Sequence, residues 1–295
     1  MRSLRLISIV PAAALVLSLA ACGDSNEDKN VTTPVAKPSF EPGTRMADIL
    51  ASGKMTIGTK FDQPLFGLKG LSGKPEGFDV EIAKLIAAKL GIAEDKITWV
   101  ESVSANREPF LQQRKVDMVV ATYTINDKRD KVVDFAGPYF VAGQDILVAK
   151  GNPKNITGPE SLKGKKTCTV SGATPAATMQ DKYGLTTNEL VLVDAYSKCR
   201  DALANGQVDA LTTDNVILSG YVSEAPDKFE LLGKPFSQEP YGIGIPEGQE
   251  PFCDFINKTL KDAVADGTYE KAFRGTAGKV IQTTPTLPEP RGCDK

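Results

Sequence analysis

The stretch from Asp117 to Phe135 constrains the fold more than any other part of the sequence. It opens with a run, Met118 to Tyr123, that is apolar apart from Thr122 and rich in β-branched residues. Such a run is typical of a strand that is buried on both faces, as in a parallel sheet. Hydroxyls at the carboxyl end of such a strand lie where open α/β sheets bind their ligands. The stretch therefore predicts an α/β fold with a ligand site beside Thr122 and Thr124.

Arg129 follows Thr124 by five residues and is the predicted anchor for an anionic ligand. A guanidinium presents a planar fork of donors that fits a carboxylate with two parallel hydrogen bonds. On residue types alone, a surface arginine after a core strand is an equally good interpretation. The residues around Arg129 are needed to distinguish a ligand-binding arginine from a surface arginine.

Periodicity in the rest of the chain predicts a repeating strand–helix order. A strand at residues 55–60 precedes an amphipathic helix at 78–90, and a strand at 97–100 precedes a helix that ends near 115. With the strand at Met118 this makes a β-α-β-α-β unit, which implies parallel strands and right-handed crossovers. A second series follows Tyr139, with strands at 146–149, 165–170, 190–193 and 209–213 and helices at about 175–183 and 197–205. Thr174 is the predicted N-cap of the helix at 175, and closing helices are expected at 250–266 and 268–273.

Residues Thr122 to Arg129, together with Val133-Asp-Phe135 and Pro138-Tyr139, resemble the signature of the polar amino-acid-binding proteins of ABC importers. The resemblance covers residues 44–275. It implies a periplasmic-binding-protein-like (type II) bilobal fold, in which two extended crossings join two α/β lobes. The expected first lobe comprises residues 43–141 plus 240–295, and the second comprises 142–239.

The resemblance also implies how the α-carboxylate of a free amino acid is bound. Arg129 matches the family's carboxylate-binding position. The backbone N–H groups of Ala173 and Thr174 open a helix of the second lobe, where the partial positive charge favours an anion. An ordinary capped helix is the alternative interpretation of this turn.

Asp214 is the candidate partner of the α-ammonium. It ends the run Val208-Asp-Ala-Leu-Thr-Thr-Asp214, which matches the family's pattern, and the Thr124 hydroxyl and Thr122 carbonyl would supply further acceptors. A role as N-cap of a helix that begins at Asn215 is the alternative, and both roles are compatible.

Lys60, Ser104 and Arg107 are the candidates for the side-chain pocket. Lys60 stands where the acidic-amino-acid members carry a basic residue, and Ser104-Ala-Asn-Arg107 resembles their Ser-x-Asn-Arg loop. Taken singly, each cation is a solvated surface charge in the alternative interpretation. With Arg129 and Asp214 the two cations sum to a charge of +2, which favours L-glutamate or L-aspartate over glutamine, with asparagine as a secondary ligand.

The N-terminus has the pattern of an exported lipoprotein. An apolar segment follows Arg2 and Arg5, and Leu19-Ala-Ala-Cys22-Gly23 resembles a lipoprotein box. We expect a signal peptide at residues 1–21, lipid attachment at Cys22 and a flexible tether at 22–42. The resulting location is the extracytoplasmic face of the cell membrane.

Four cysteines remain after Cys22, an even number that favours two disulfides in an exported chain. Four thiols allow three pairings. Cys168–Cys199 and Cys253–Cys293 are favoured, because each pair then lies within one inferred lobe. Buried free thiols are the alternative.

Composition narrows the function classes. The chain has no histidine, which removes the commonest general base and the commonest zinc ligand. The net charge of −2 argues against a nucleic-acid partner. We therefore expect no cofactor, no metal and no enzymatic activity; an enzyme on the same fold would need an acid or base with a perturbed pKa, and the sequence offers no candidate.

The preferred function is a monomeric, lipid-anchored receptor that captures an acidic amino acid and delivers it to the permease subunits of an ABC importer. A sensor that feeds a membrane kinase and a glutamine-preferring binder are the alternatives.

Overall fold

The structure is a computed structural model that describes residues 38–293. The predicted signal peptide, the lipidation site at Cys22 and the tether up to residue 37 lie outside the described residues. The strands, in chain order, are β1 Met55–Thr59, β2 Asp62–Gln63, β3 Gly67–Lys69, β4 Pro75–Glu76, β5 Ile97–Glu101, β6 Met118–Thr124, β7 Asp134–Ala142, β8 Gln144–Ala149, β9 Thr167–Val170, β10 Leu190–Val193, β11 Ala210–Asp214, β12 Phe229–Leu231 and β13 Glu239–Ile245. The α-helices are α1 Arg45–Ser52, α2 Phe78–Lys89, α3 Arg107–Gln112, α4 Thr174–Asp181, α5 Tyr196–Ala204, α6 Asn215–Glu224, α7 Glu250–Ala265 and α8 Thr268–Gly275.

The first lobe is built on a five-stranded sheet in the order β5-β1-β6-β13-β7. β1 pairs in parallel with β5 and β6, while β13 runs antiparallel to β6 and β7. Every residue of β6 is buried. Met118 and Val120 join the core beneath α2 and α7, whereas Val119, Ala121 and Tyr123 face the cluster beside α3, as the two-residue period of a strand requires. Burial on both faces is what the apolar run predicted.

The second lobe is built on another five-stranded sheet, in the order β10-β9-β11-β8-β12. β9, β10 and β11 are parallel, and β8 runs antiparallel to β11 and β12. The carboxyl end of β9 leads into α4, and that of β11 leads into α6. Both ends therefore face the same edge of the sheet, which is where open α/β sheets bind ligands.

Two short crossings lie side by side between the lobes. β7 ends at Ala142 and β8 begins at Gln144, so the outward crossing is a single residue, Gly143. A Cβ at Gly143 would lie 2.7 Å from the Pro235 Cβ and 2.9 Å from the Ser237 carbonyl oxygen of the return crossing. Only glycine fits this approach. The chain thus leaves the first lobe once and returns once, as in the expected bilobal fold.

Three local features differ from the predictions. The sequence did not indicate α1 or the small sheet β2-β3-β4. Phe40 packs edge-on against Phe255 at 5.4 Å, so the chain is already packed before residue 42, the predicted end of the tether. Helix α4 begins at Thr174 with Ala173 as N-cap, one residue earlier than predicted, because Pro175 occupies the second helical position.

Both disulfides have the pairing that the sequence favoured. Cys168–Cys199 joins β9 to α5, and Cys253–Cys293 joins α7 to the C-terminal segment. That segment is held further by Arg291, whose backbone N–H donates to the Gly137 carbonyl at 2.8 Å. Its guanidinium pairs with Asp130 at 2.6 Å, next to Arg129 in the chain.

Residues 38–293 contain neither a membrane-spanning helix nor a metal-binding cluster of side chains. Within this range, no helix combines the length and the apolar character that crossing a membrane requires. Nor does the same range contain a group of three or more His, Cys, Asp or Glu side chains arranged to hold a metal ion.

Candidate functional site

The structure brings most of the predicted site residues to one cavity between the lobes. The cavity lies at the carboxyl end of β6, and its volume is about 10 Å³. It is lined by Ser104, Arg107, Thr122, Thr124, Ala173, Thr174, Pro175, Tyr196, Asp214 and Ile217. A volume of this size holds about one water molecule. The lobes are therefore closed on each other, and the cavity is too small for an amino acid.

Arg129 lies just outside this lining and connects the two lobes. Its Nη1 donates to the Thr124 carbonyl at 2.6 Å, and its Nη2 donates to the Gly172 carbonyl of the second lobe at 2.9 Å. Its Nε lies 3.0 Å from Glu108 Oε1. On its outer side Arg129 faces a wider cavity of about 730 Å³ between the lobes.

Arg107 is buried, and its donors contact only carbonyl oxygens. Nε contacts Ser104 O at 3.2 Å, and Nη1 contacts the Ala121 and Thr122 oxygens at 3.1 and 3.2 Å. Within residues 38–293, no carboxylate lies at ion-pair distance from it. Burial, followed by the neighbouring Arg129 charge, lowers the pKa of Arg107 to about 10.

Both guanidinium groups also lie over the ring of Tyr123, with distances to its centroid of 4.3 Å for Arg107 and 5.1 Å for Arg129. The negative face of an aromatic ring attracts cations, so Tyr123 offsets part of the repulsion between them. The sequence analysis treated Tyr123 only as a residue of the buried strand.

The two arginines converge on the carbonyl oxygen of Gly172. Arg107 Nη2 reaches it at 3.3 Å, beside the contact from Arg129. Gly172 has a φ of 77°, and a Cβ there would lie 2.7 Å from the Ala105 Cα, so glycine is required for the approach. The oxygen occupies a point where two cations meet, which is where a carboxylate oxygen is best stabilised.

Lys60 is 3% exposed, and its Nζ donates to Ser104 Oγ at 2.8 Å. It makes no ion pair with any residue in the described part of the chain. Burial, followed by the charge of Arg107, lowers its pKa to about 7. The alternative that Lys60 and Arg107 are solvated surface charges is wrong, since both side chains are buried.

Asp214 occupies the N-cap position of α6 but does not cap the helix with its side chain. Its Oδ2 accepts a hydrogen bond from the Tyr241 hydroxyl at 2.5 Å. Its Oδ1 is buried at the cavity and has no partner among residues 38–293. Burial, followed by the charge of Glu239, raises the pKa of Asp214 to about 7. The carboxylate thus presents one unpaired oxygen to a donor in the cavity.

One of the two N–H groups predicted to bind an anion, that of Ala173, is used within the turn before α4, whereas the role of the Thr174 N–H stays a prediction. The Ala173 N–H donates to the Val170 carbonyl at 3.2 Å and so closes the turn rather than offering an anion contact. The Thr174 hydroxyl donates to Glu239 Oε2 at 2.7 Å. In this geometry the second lobe contributes a hydroxyl and a carbonyl oxygen to the site.

Thr122 is held in an unusual conformation by a residue that the sequence analysis missed. Its φ is 43°, and its N–H donates to Asp79 Oδ2 at 2.8 Å. Asp79 is buried and also accepts from the Tyr139 hydroxyl at 2.5 Å, and burial is the main cause that raises its pKa to about 7. An acid on the apolar face of the predicted helix, three residues before Ile82, was the available signal.

Glu239 is the second missed residue. It begins β13 and is 3% exposed. Its Oε2 accepts from Thr124 at 2.8 Å as well as from Thr174, and its Oε1 accepts from Ser237 at 2.7 Å. In the sequence it directly precedes Pro240, where the predicted return strand begins. An acid at such a position is expected to be exposed to solvent.

These two acids change the charge balance that was derived from the sequence. The predicted sum of +2 counted three cations against Asp214 alone. The structure adds the buried carboxyls of Asp79 and Glu239, and Glu108 pairs with Arg129. The net charge of the site therefore does not by itself favour an acidic ligand over an amide.

The sequence offered no candidate acid or base with a perturbed pKa, but burial raises the pKa of both Asp79 and Asp214 to about 7. For Asp79 the shift follows from its burial, and its oxygens are bonded to Tyr139 and Thr122. Asp214 is the one of the two that lines the cavity.

Comparison with known proteins identifies the family. Residues 55–276 match the model of the bacterial extracellular solute-binding proteins, family 3. This chain belongs to that family. The match includes the whole of both five-stranded sheets, so it covers both lobes of the fold. The family is one of solute-binding receptors, which is a class of binding proteins rather than of enzymes.

Relatives of this family 3 receptor include both glutamine and glutamate binders. The ABC transporter glutamine-binding protein GlnH of Bacillus subtilis is 39% identical over 274 residues, which is 92% of this chain and 95% of the relative. The glutamate-binding protein GluB of Corynebacterium glutamicum is 36% identical over 287 residues, 93% and 91% of the two chains. Among solved structures, an ancestral arginine-binding protein bound to glutamine has a TM-score of 0.70 at 38% identity and covers 76% of this chain.

Proposed function

We propose that this receptor captures an acidic amino acid, L-glutamate or L-aspartate, outside the cytoplasm and delivers it to the permease subunits of an ABC importer. The family is one of solute-binding receptors, and the relatives at 39% and 36% identity are named for glutamine and glutamate. The choice of an acidic ligand rests on the chemistry of the side-chain pocket.

The observation that carries this choice is the pair Lys60 and Arg107. Both are buried, they are bridged by Ser104, and neither has an ion-pair partner within residues 38–293. Cations buried without an anion are costly, and a ligand carboxylate placed among them removes that cost. An amide oxygen accepts the same hydrogen bonds without supplying the charge.

The rest of the site matches the main-chain groups of an amino acid. Arg129 would turn its Nη1 and Nη2 from the Thr124 and Gly172 carbonyls to the α-carboxylate, since a charged acceptor binds a guanidinium more strongly than a neutral one. Asp214 Oδ1 would accept from the α-ammonium. Arg129 belongs to the first lobe and Asp214 to the second, so a ligand that contacts both stabilises the closed form.

A glutamine-preferring receptor is the second candidate, and two observations favour it. GlnH is 39% identical to this chain. In addition, the buried Asp79 and Glu239 offset two of the three cations, which weakens the demand for an anionic side chain.

We also propose a membrane anchor at the N-terminus and a monomeric state for the receptor. Cys22 would carry a lipid anchor on the extracytoplasmic face of the cell membrane, and residues between Cys22 and the packed Phe40 would form the tether. A lipid-modified cysteine with two acyl chains suffices for stable anchoring. The receptor would act as a monomer, because each chain contains a complete site between its own lobes.

A ligand screen tests the function as a whole. The thermal midpoint of the purified protein is measured with each of the twenty amino acids, since a ligand that binds the folded state raises it. We expect L-glutamate to give the largest increase. A largest increase with glutamine would select the second candidate, and no increase with any amino acid would reject both.

A further inference from the structure

We propose that Glu239 is a positioning residue that makes the receptor selective for ligands with an α-ammonium group, by fixing the direction of two hydroxyl groups in the site. The inference rests on the proposed function only in requiring that the ligand is an amino acid. It does not depend on which amino acid binds, because all of them share the ammonium group.

Glu239 bridges the two lobes with one oxygen atom. Its Oε2 accepts from Thr124 Oγ1 of the first lobe at 2.8 Å and from Thr174 Oγ1 of the second lobe at 2.7 Å. Its Oε1 accepts from Ser237 Oγ at 2.7 Å, and the side chain is buried. Thr124 and Thr174 line the cavity, and Glu239 contacts both of them from behind that lining.

The direction of these hydrogen bonds determines what the cavity can bind. A hydroxyl has one proton to donate and two lone pairs to accept with, whereas a carboxylate only accepts. Thr124 and Thr174 therefore give their protons to Glu239 and turn lone pairs toward the cavity. A threonine without this partner would donate to a ligand oxygen as readily as it would accept.

The cavity then offers three acceptors in one place, namely the two hydroxyls and the unpaired Oδ1 of Asp214. An ammonium group has three N–H donors and no acceptor, so it matches this set. A 2-oxo group or an additional carboxylate oxygen would meet acceptors only. The set thus favours an amino acid over a carboxylic acid of the same length that lacks the amine.

Glu239 also acts on Asp214 through its charge, and this gives an independent readout. Burial and then Glu239 raise the pKa of Asp214, whereas the hydrogen bond from Tyr241 and the charges of Arg107 and Arg129 lower it. Tyr196 also faces Asp214, whose charge raises the pKa of the Tyr196 hydroxyl. An ammonium ligand needs Asp214 ionised, so in a Lys60→Met background, which lacks the other group with a pKa of about 7 at the site, affinity falls as the pH drops through about 7. Without the Glu239 charge, this loss of affinity moves to lower pH.

The test compares amino acids with their des-amino analogues in the purified protein. Dissociation constants are measured by calorimetry for L-glutamate and glutarate, and for L-glutamine and glutaramate. Glu239→Leu keeps a side chain of similar size and removes both acceptor oxygens, which frees the two threonine protons for the ligand. Glu239→Gln removes only the charge, because its amide oxygen still accepts from both threonines while its NH2 group donates to Ser237. Ser237→Ala is the matched control, because it removes a partner of Glu239 and leaves both threonine contacts.

For Glu239→Leu we expect the affinity ratio of amino acid to des-amino analogue to fall at least tenfold, with no such fall in Ser237→Ala. A purely structural role would weaken both ligands equally and leave the ratio unchanged, and this result would overturn the inference. If wild type prefers glutamine, the glutamate proposal fails, and the glutamine and glutaramate pair still tests Glu239.

Two further measurements cover the remaining outcomes. If the des-amino analogues bind too weakly to measure, the pH dependence of amino-acid affinity in the Lys60→Met background decides: a midpoint that moves to lower pH when Glu239→Gln is added supports the inference, and an unchanged midpoint rejects it. If Glu239→Leu does not fold, Thr174→Val removes one oriented hydroxyl and should lower the same ratio. An unchanged ratio in that variant would also reject the inference.

Discussion

Arg129 of the first lobe donates a hydrogen bond of 2.9 Å to the carbonyl oxygen of Gly172 in the second lobe. The contact places a neutral acceptor on the guanidinium fork that the sequence assigned to a ligand carboxylate. Arg107 shares the same acceptor at 3.3 Å. Closure of the lobes and recognition of an anion thus use the same donors, and a ligand carboxylate would replace a backbone oxygen.

The first prediction concerns Arg129→Lys, which we expect to weaken binding of the amino acid severely although the charge is kept. Lysine offers a point charge in place of a planar fork, and losing a charge-assisted contact in a buried site costs about 2–5 kcal/mol. Calorimetry measures the change. Lys131→Ala, an exposed position nearby, is the control, and wild-type affinity in Arg129→Lys would remove Arg129 from the site.

The second prediction concerns the side-chain pocket. The double replacement Lys60→Met with Arg107→Gln should weaken glutamate far more than glutamine, because it removes the two buried cations that lack an ion pair. The difference between the two ligands should be about 1–3 kcal/mol, or roughly ten- to a hundredfold. Equal losses of affinity for both ligands would show that these cations do not discriminate between the two ligand side chains.

The third prediction is that the protein takes up a proton when it binds glutamate at about pH 8. The pKa of Lys60 is lowered to about 7, so at this pH the free protein holds Lys60 mainly neutral. A ligand carboxylate favours the charged form and raises that pKa, so a proton is bound. Asp214 is already ionised at pH 8 and contributes little.

Calorimetry in buffers with different ionisation enthalpies measures this proton uptake. Lys60→Met should abolish it. The same variant should be more stable than wild type, most of all below pH 7, because the folded wild-type protein there carries a buried charge that the unfolded chain exposes to water. Unchanged proton uptake in Lys60→Met would assign it to another group.

Features of this structure that depend on neighbouring residues could be predicted from the sequence, whereas features that depend on distant contacts could not. β6 was predicted because its apolar run is a local signal, and Arg129 because its spacing from Thr124 matches a family pattern. Glu239 was missed because its partners Thr124 and Thr174 belong to different lobes and meet only in the folded chain. No local pattern distinguishes such an acid from a solvated one before a strand.

Asp79 is an intermediate case. Its position on the apolar face of α2 could be seen in the sequence, but its partners Thr122 and Tyr139 are 43 and 60 residues away. Since the charge sum of the site needs every buried acid, the sequence-based sum of +2 was incomplete for the same reason.

The fourth prediction concerns the disulfide Cys168–Cys199, which closes a separation of 31 residues between β9 and α5. Replacing both cysteines with serine should lower the free energy of unfolding by about 3–4 kcal/mol in the chain-entropy model. Urea unfolding of the variant and wild type measures the difference. Peptide mapping without reduction is the companion check, and free thiols at both positions would contradict the prediction.

The central claim is that the buried cations Lys60 and Arg107 make this receptor prefer glutamate to glutamine. The most direct test is a calorimetric titration of the purified protein with L-glutamate and with L-glutamine at the same pH and ionic strength. We predict that glutamate binds at least about tenfold more tightly, a difference of roughly 1.4 kcal/mol or more. Equal affinities, or tighter binding of glutamine, would contradict the claim.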